Sequence, residues 1–176
     1  RTATQPTMSQ LLNIIDNTDP QNISVGNPGL EPAFTNRFRL FYNTFRQSHA
    51  QALMTFANFS ATRNAIGNSV SYDAASGART VKPVNVNGNW DADAAVMYNT
   101  SIDSAGVWNI HTFTRAGFNR YVSFLQPDFA SSLQKNITKS LTLGERLAGS
   151  YRNSWLELEL DGSADFTRTK NNLQSF

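Results

Sequence analysis

Four carboxylates near the C-terminal end of the sequence are spaced closely enough to suggest chemistry. Glu157, Glu159, Asp161 and Asp165 follow one another at spacings of two, two and four residues. Carboxylate oxygens bind calcium when several converge on one point, and carboxylates can also act as general acid and base. On an extended strand, however, residues of one parity project from one face as a stripe. A water-facing wall accounts for such a stripe, so we predict neither a metal site nor catalysis here.

The remaining titratable residues give no catalytic constellation either. His49 falls at a predicted turn and His111 on the polar face of another hairpin, so each is interpreted as a hydrogen-bonding residue. The chain contains no cysteine, which excludes disulfides, cysteine metal sites and thiol catalysis. We therefore expect no enzyme, no metal and no cofactor. The net charge of +2 is small and dispersed, which argues against nucleic acid as a partner.

The elements that position these residues are strands, because the chain after residue 33 alternates apolar and polar residues. At 13 to 16 residues each, the strands exceed the typical length of about 5–6. Short turns and long loops alternate between them. The prediction is an all-β, antiparallel up-and-down meander of about six long strands: 34–46, 50–62, 87–102, 107–122, 138–152 and 155–169, with short turns at 47–48, 103–105 and 153–154 and long loops at 63–86 and 123–137.

The rest of the chain is predicted to form loops around this meander of residues 34–169. Residues 1–33 form a long loop with one helix over 8–16, which a capping box of Thr7 and Gln10 begins. The loop 63–86 is expected to hold a small hairpin that turns near Ser76 and Gly77. Residues 170–176 are expected to begin a further loop.

The lengths of the predicted turns provide a test of the meander. Turn length decides which residues pair across a hairpin, and paired residues must share a face. With the predicted turns, apolar residues of all three hairpins collect on one face and polar residues on the other. Glu145 is the exception, since the register places this carboxylate on the apolar face, opposite Gly162. The predicted cross-strand neighbours are Tyr42 with Leu53, Tyr98 with Ile110, Leu147 with Leu160, Asp93 with Arg115 and Arg146 with Asp161. The apolar face carries Leu40, Tyr98, Ile110, Leu147, Leu158 and Leu160, and the polar face Arg39, Asp93, Arg115, Arg146 and Asp161.

Two environments suit a sheet with one apolar and one polar face. A soluble sandwich normally uses shorter strands and a less regular alternation of turns. An outer-membrane barrel has long strands, short turns on one side, long loops on the other, and girdles of aromatic residues at both membrane interfaces. Trp90 is predicted at the long-loop interface, and Trp108, Tyr151 and Trp155 at the short-turn interface. The pattern favours the barrel, in which the polar face lines the lumen.

Several motifs resemble those of Bacteroidetes TonB-dependent receptors and related outer-membrane β-barrel proteins. They include Asn22-Ile23, Gly26-Asn27-Pro28, Leu30 and Pro32 in the first loop, and later the stretches VNVNGNW, NITKSLTLGERLAGSYRNSW and FTRTKNN. The similarity extends over essentially the whole chain. It implies a location in the outer membrane of a Gram-negative bacterium, in contact with lipid. The motifs are structural, so they identify the barrel better than the cargo.

The resemblance also implies a function. In such receptors the barrel holds a plug domain, extracellular loops capture a nutrient such as a metal chelate or an oligosaccharide, and TonB powers uptake. Six strands supply only part of a barrel of about 22 strands, so we expect a barrel segment that would self-associate when isolated. Tyr72, Asp73 and Arg79, on the predicted extracellular hairpin, are the candidate ligand contacts. The alternative is a soluble all-β module that binds a ligand or glycan.

Overall fold

The structure, a computed structural model, describes residues 1–126 and 131–173 as an almost entirely β protein. The prediction of an all-β meander is confirmed, but the described residues form eleven strands rather than six. No helix in this part of the chain is long and apolar enough to cross a membrane. The strands are β1 (Thr2–Thr4), β2 (Ile15–Asp16), β3 (Asn22–Val25), β4 (Ala33–Arg46), β5 (Gln51–Arg63), β6 (Ala65–Tyr72), β7 (Arg79–Val86), β8 (Asn89–Ser101), β9 (Trp108–Leu125), β10 (Gln134–Arg152) and β11 (Glu157–Asn171).

The six predicted strands correspond to the six longest strands, which pair antiparallel in the order β4-β5-β8-β9-β10-β11. Within the described residues the sheet does not close, because β11 pairs only with β10 and most of β4 has one neighbour. The loop predicted over 123–137 is shorter than expected. Residues 123–125 continue β9, and residues 134–137 begin β10; residues 127–130 of that predicted loop lie outside the described residues.

The predicted cross-strand pairs are wrong by two residues in all three hairpins. Tyr42 lies opposite Thr55, Tyr98 opposite Thr112, and Leu147 opposite Gly162. The physical reason is that each connection is two residues longer than predicted. A shift by an even number preserves parity, and every residue therefore stays on its predicted face.

Polar side chains and left-handed backbone build these longer connections. In the first, His49 and Ala50 adopt φ angles of 64° and 46°. In the second, the Asp103 carboxylate accepts hydrogen bonds from the Val107 and Trp108 amides at 3.1 and 2.8 Å. In the third, Asn153 Oδ1 accepts from the amides of residues 155 and 156 at 3.0 and 2.9 Å. Such turn chemistry is local, but the turns of two or three residues assumed from the sequence did not include it.

The long loops contribute the additional strands. The hairpin expected within 63–86 is present as β6 and β7, and β6 also runs parallel to the end of β9. Next to β7 lies β3, in parallel, and then β2. We call β6, β7, β3 and β2 the loop-end sheet. The capping box of Thr7 and Gln10 is confirmed, but the helix α1 covers only Met8–Leu11, because Ile15–Asp16 pairs as β2 instead.

One face of the loop-end sheet covers the small core of the molecule. Ala65, Val86 and Val122 are buried there, and Val84, Phe124 and Ile137 pack against them. The loop that contains Gly26-Asn27-Pro28 is attached beside this core. Asn27 Nδ2 donates to the Pro83 carbonyl at 2.9 Å, and the side-chain amide of Asn85 bonds the backbone of Glu31. Two of the motifs singled out in the sequence thus meet in one network of asparagine hydrogen bonds.

Candidate functional site

The apolar face of the six long strands is uncovered. Leu147, Leu158 and Leu160 are 56%, 58% and 81% exposed. A soluble sandwich would pack this face against a second sheet. No described strand does so, and the exposed apolar area is therefore of the kind that marks a membrane or partner surface. The pairing places Leu40, Tyr98 and Ile110 on this same face.

Two groups of aromatic residues lie at opposite ends of the apolar face. Trp90 stacks on Phe118 with ring centroids 4.8 Å apart, and Trp108 contacts Tyr151 at 4.7 Å. Trp155 lies in the neighbouring short turn and is 79% exposed. From Trp108 to Phe118 along β9 the rise is about 33 Å. A strand tilt of about 35–45° reduces this to about 23–27 Å, which matches the ~25 Å apolar band of outer-membrane barrels.

Glu145 remains on the apolar face, where the sequence placed it. Its neighbours across the strands are Thr114 and Ala164, rather than Gly162 as predicted. It borders a shallow groove with Leu147, Leu160 and other mostly small or apolar residues. No bulge turns the side chain inward, since the pairing of β10 is continuous on both sides.

The polar face is crossed by ion pairs between β9, β10 and β11. Arg115 does not lie opposite Asp93, as predicted; it lies opposite Ala95 and forms an ion pair with Asp165 at 2.8 Å. Gly144 stands between these two residues in the same cross-strand row and leaves room for their contact. The absence of a side chain in the middle strand thus allows a pair to form across two strand spacings.

Arg146 and Asp161 form the predicted ion pair, with the guanidinium Nε 2.9 Å from the carboxylate. The contact is diagonal, because Arg146 lies opposite Ser163. Glu157 also forms an ion pair, with Arg152. Three of the four closely spaced carboxylates therefore bind arginines. Within residues 1–126 and 131–173, no three histidines or carboxylates are grouped as they would be around a metal ion.

Arg39 and Asp93 lie on the polar face on either side of Asn58, which pairs with both. The Asn58 side chain donates to the Asp93 carboxylate at 2.8 Å. His111 lies further along the same face and hydrogen bonds the side chain of Asn99 at 2.9 Å. These contacts are those of a hydrogen-bonded polar wall.

One feature of the polar face was missed in the sequence. Apolar side chains of β4, β5, β8 and β9 form a patch towards the short turns. Phe41 and Phe45 are 63% and 65% exposed there. The sequence did contain a signal for this patch. Phe41 and Phe45 have odd residue numbers, so on β4 they face the side opposite to Phe34 and Phe38, whose numbers are even. We define the phenylalanine–methionine patch as Phe41, Phe45, Met54, Phe56, Met97 and Phe113.

The predicted ligand residues of the loop hairpin are placed at its tip. Tyr72 and Arg79 are the last pair of β6 and β7, and Asp73 begins the turn. The Asp73 carboxylate accepts hydrogen bonds from the amides of Ala75 at 2.7 Å and Ser76 at 3.2 Å, and these bonds lower its pKa. The carboxylate is therefore engaged in the turn.

A cavity that the sequence did not indicate lies between residues 9–14 and the loop-end sheet. Its volume is about 450 Å³. The sequence signal was weak, because the lining residues come from four separate segments that only the tertiary structure brings together.

Comparison with known proteins agrees with the geometry of the two faces. A family model described as the outer membrane protein beta-barrel family matches residues 1–175. No curated protein and no solved structure matches the chain significantly. Because the family match covers nearly the whole chain, the protein belongs to the outer membrane protein β-barrel family, whose members lie in the outer membrane of Gram-negative bacteria.

Proposed function

We propose that the chain is a barrel segment of a TonB-dependent receptor that takes up a nutrient across the outer membrane. The open edges of β4 and β11 would pair with further strands of the same barrel. The apolar face would contact lipid, and the polar face would line the lumen. The motifs shared with Bacteroidetes receptors support this assignment within the wider family.

The phenylalanine–methionine patch is the observation that carries the proposal. A barrel filled with water gains nothing from exposed phenylalanines on its inner wall, since each leaves apolar area in contact with water. A barrel that holds a plug domain would cover them. The position of the patch near the short turns, which face the periplasm in such barrels, suits a plug that TonB contacts from the periplasmic side.

The ion pairs of the polar face are consistent with a packed interior wall. Arg115–Asp165 and Arg146–Asp161 neutralise charge along β9 to β11. On this proposal the extracellular loops capture the nutrient, and an energised movement of the plug releases it into the periplasm. The plug and TonB would be the partners of the whole receptor.

Planar-bilayer recording tests the plugged barrel. The whole receptor should show no steady conductance, whereas Phe56→Asp combined with Phe113→Asp should weaken plug docking and produce open channels. Ser140→Asp, on the polar face outside the patch, is the matched control and should remain closed. A large steady conductance of the unmodified protein would instead indicate an open pore.

Growth of bacteria tests the coupling to TonB. A strain that lacks this protein and a strain that lacks TonB should share a growth defect on at least one limiting nutrient, among oligosaccharides as carbon sources and ferric chelates as iron sources. Growth of the TonB-deficient strain that is normal wherever this protein is required would refute the proposal.

A further inference from the structure

The cavity at the loop end has a floor and a roof formed by different segments. Asp16, Ser24, Asn68, Val81 and Pro83 line the floor and belong to the four strands of the loop-end sheet. Strand pairing gives these residues one common face, opposite to the face that covers the core. The roof is formed by Ser9, Gln10, Leu12 and Ile14, while Val25 and Gly26, at the end of β3, also line the cavity.

The roof is fixed to the floor by backbone contacts. The Asn27 amide donates to the Gln10 carbonyl at 2.6 Å, the Gly26 amide donates to the Ile14 carbonyl at 3.3 Å, and Ile15 pairs with Val25. A Cβ on Gly26 would lie only 1.7 Å from the carbonyl oxygen of Leu12. The close approach of these two segments therefore requires glycine, and it holds the cavity open with a defined shape.

The cavity presents unused hydrogen-bonding groups. Within the described residues, the side chains of Ser24 and Asn68 make no hydrogen bond, and both are exposed. The Gln10 side-chain oxygen accepts from the Thr7 amide, which leaves its NH₂ group available. A hydroxyl, two amides and the apolar walls of Leu12, Ile14, Val81 and Pro83 thus face a common space.

The charge of the cavity selects among ligands. Asp16 is its one ionisable lining residue among those described, and no lysine, arginine or histidine lines it. The Thr18 hydroxyl and amide both donate to this carboxylate and lower its pKa, so it is ionised at neutral pH. An anionic chelate would meet a negative charge and no cation. A neutral ligand with several hydroxyls would find donors, acceptors and apolar walls.

We propose that this cavity binds a neutral carbohydrate of about one or two sugar units. The inference deepens the proposed function, on which it rests, because it favours an oligosaccharide over a metal chelate as the nutrient. Ser24 and Asn68 bind sugar hydroxyls from the floor. The Gln10 amide donates from the roof, and the Asp16 carboxylate accepts from the floor.

Saturation-transfer NMR on the protein in detergent micelles tests the proposal. The probes are methyl glycosides of glucose, galactose, mannose and xylose, with gallium citrate as a diamagnetic anionic chelate. At least one glycoside should receive saturation and the chelate none. Ser24→Ala and Asn68→Ala should each weaken binding of that glycoside by about five- to tenfold, as loss of one neutral hydrogen bond does.

Ser71→Ala is the matched control, because Ser71 lies on β6 but faces the opposite side of the loop-end sheet. It should leave glycoside binding unchanged. The absence of saturation for all four glycosides, equal affinity in the Ser24 and Asn68 variants, or binding of gallium citrate would each overturn the proposal. The assay needs neither plug nor TonB, so its outcome is independent of the coupling experiments.

Discussion

The side-chain amide of Asn85 forms two hydrogen bonds with the backbone of Glu31. Its Oδ1 accepts from the Glu31 N–H at 2.8 Å, and its Nδ2 donates to the Glu31 carbonyl at 2.9 Å. The same Nδ2 donates to the Asn64 carbonyl at 2.9 Å. One side chain on β7 thus satisfies backbone groups of two other segments, as a neighbouring strand would do.

Asn85→Asp should therefore loosen the first loop. The carboxylate keeps the acceptor but loses both donated bonds, and it places a negative charge beside two carbonyl oxygens. We expect a loss of about 1–3 kcal/mol in local stability. Hydrogen exchange of the Glu31 amide would measure it. Asn43→Asp, at an exposed asparagine without a described side-chain bond, should have no effect; equal exchange in the two variants would contradict the assigned role of Asn85.

Arg115, Gly144 and Asp165 lie side by side in one cross-strand row, and we therefore expect the effects of their mutations on stability to be non-additive. Both charged residues are about half exposed, so Asp165→Asn should cost no more than about 1 kcal/mol. A Cβ at residue 144 would lie 2.4 Å from the Asp165 carboxylate and 2.5 Å from Arg115 Nε. Gly144→Ala should therefore separate the pair, and Asp165→Asn should cost nothing further in that background. A double-mutant cycle of urea unfolding in detergent measures the coupling. Additive losses would mean that residue 144 does not control the pair.

The faces of the sheet could be predicted from the sequence, but the exact neighbours could not. Parity depends only on whether a connection has an odd or even number of residues, and the two-residue errors preserved it. The prediction that Asp93 pairs with Arg115 depended on the exact turn length, and it was wrong. The strands β2 and β3 were missed because they are too short to show a period, and their pairing depends on β7. Ser24 and Asn68 carry no local signal, since the cavity forms only when distant segments meet.

Acidification should release the turn held by Asp103. Hydrogen bonds from the Trp108 and Val107 amides lower the pKa of this carboxyl below its ordinary value of 3.8. Because the folded-state pKa is lowered, the contribution of the turn is fully present above pH 3.8 and is lost as the pH falls through the folded value. The amide chemical shifts of Val107 and Trp108 should titrate together with a midpoint below 3.8. Asp103→Asn should abolish this titration, whereas a midpoint above 3.8 would show that the bonds do not form.

The isolated 176-residue chain should self-associate in dilute buffer without detergent. Its apolar face is uncovered, and the edges of β4 and β11 leave backbone groups unpaired. Leu158→Lys combined with Leu160→Lys places charges on the apolar face of β11 and should reduce association measured by light scattering. Thr167→Lys with Thr169→Lys adds the same charge on the polar face of that strand and should reduce it less. A monodisperse unmodified monomer that binds no hydrophobic dye would show that the apolar side chains pack internally, which a membrane-facing sheet does not permit.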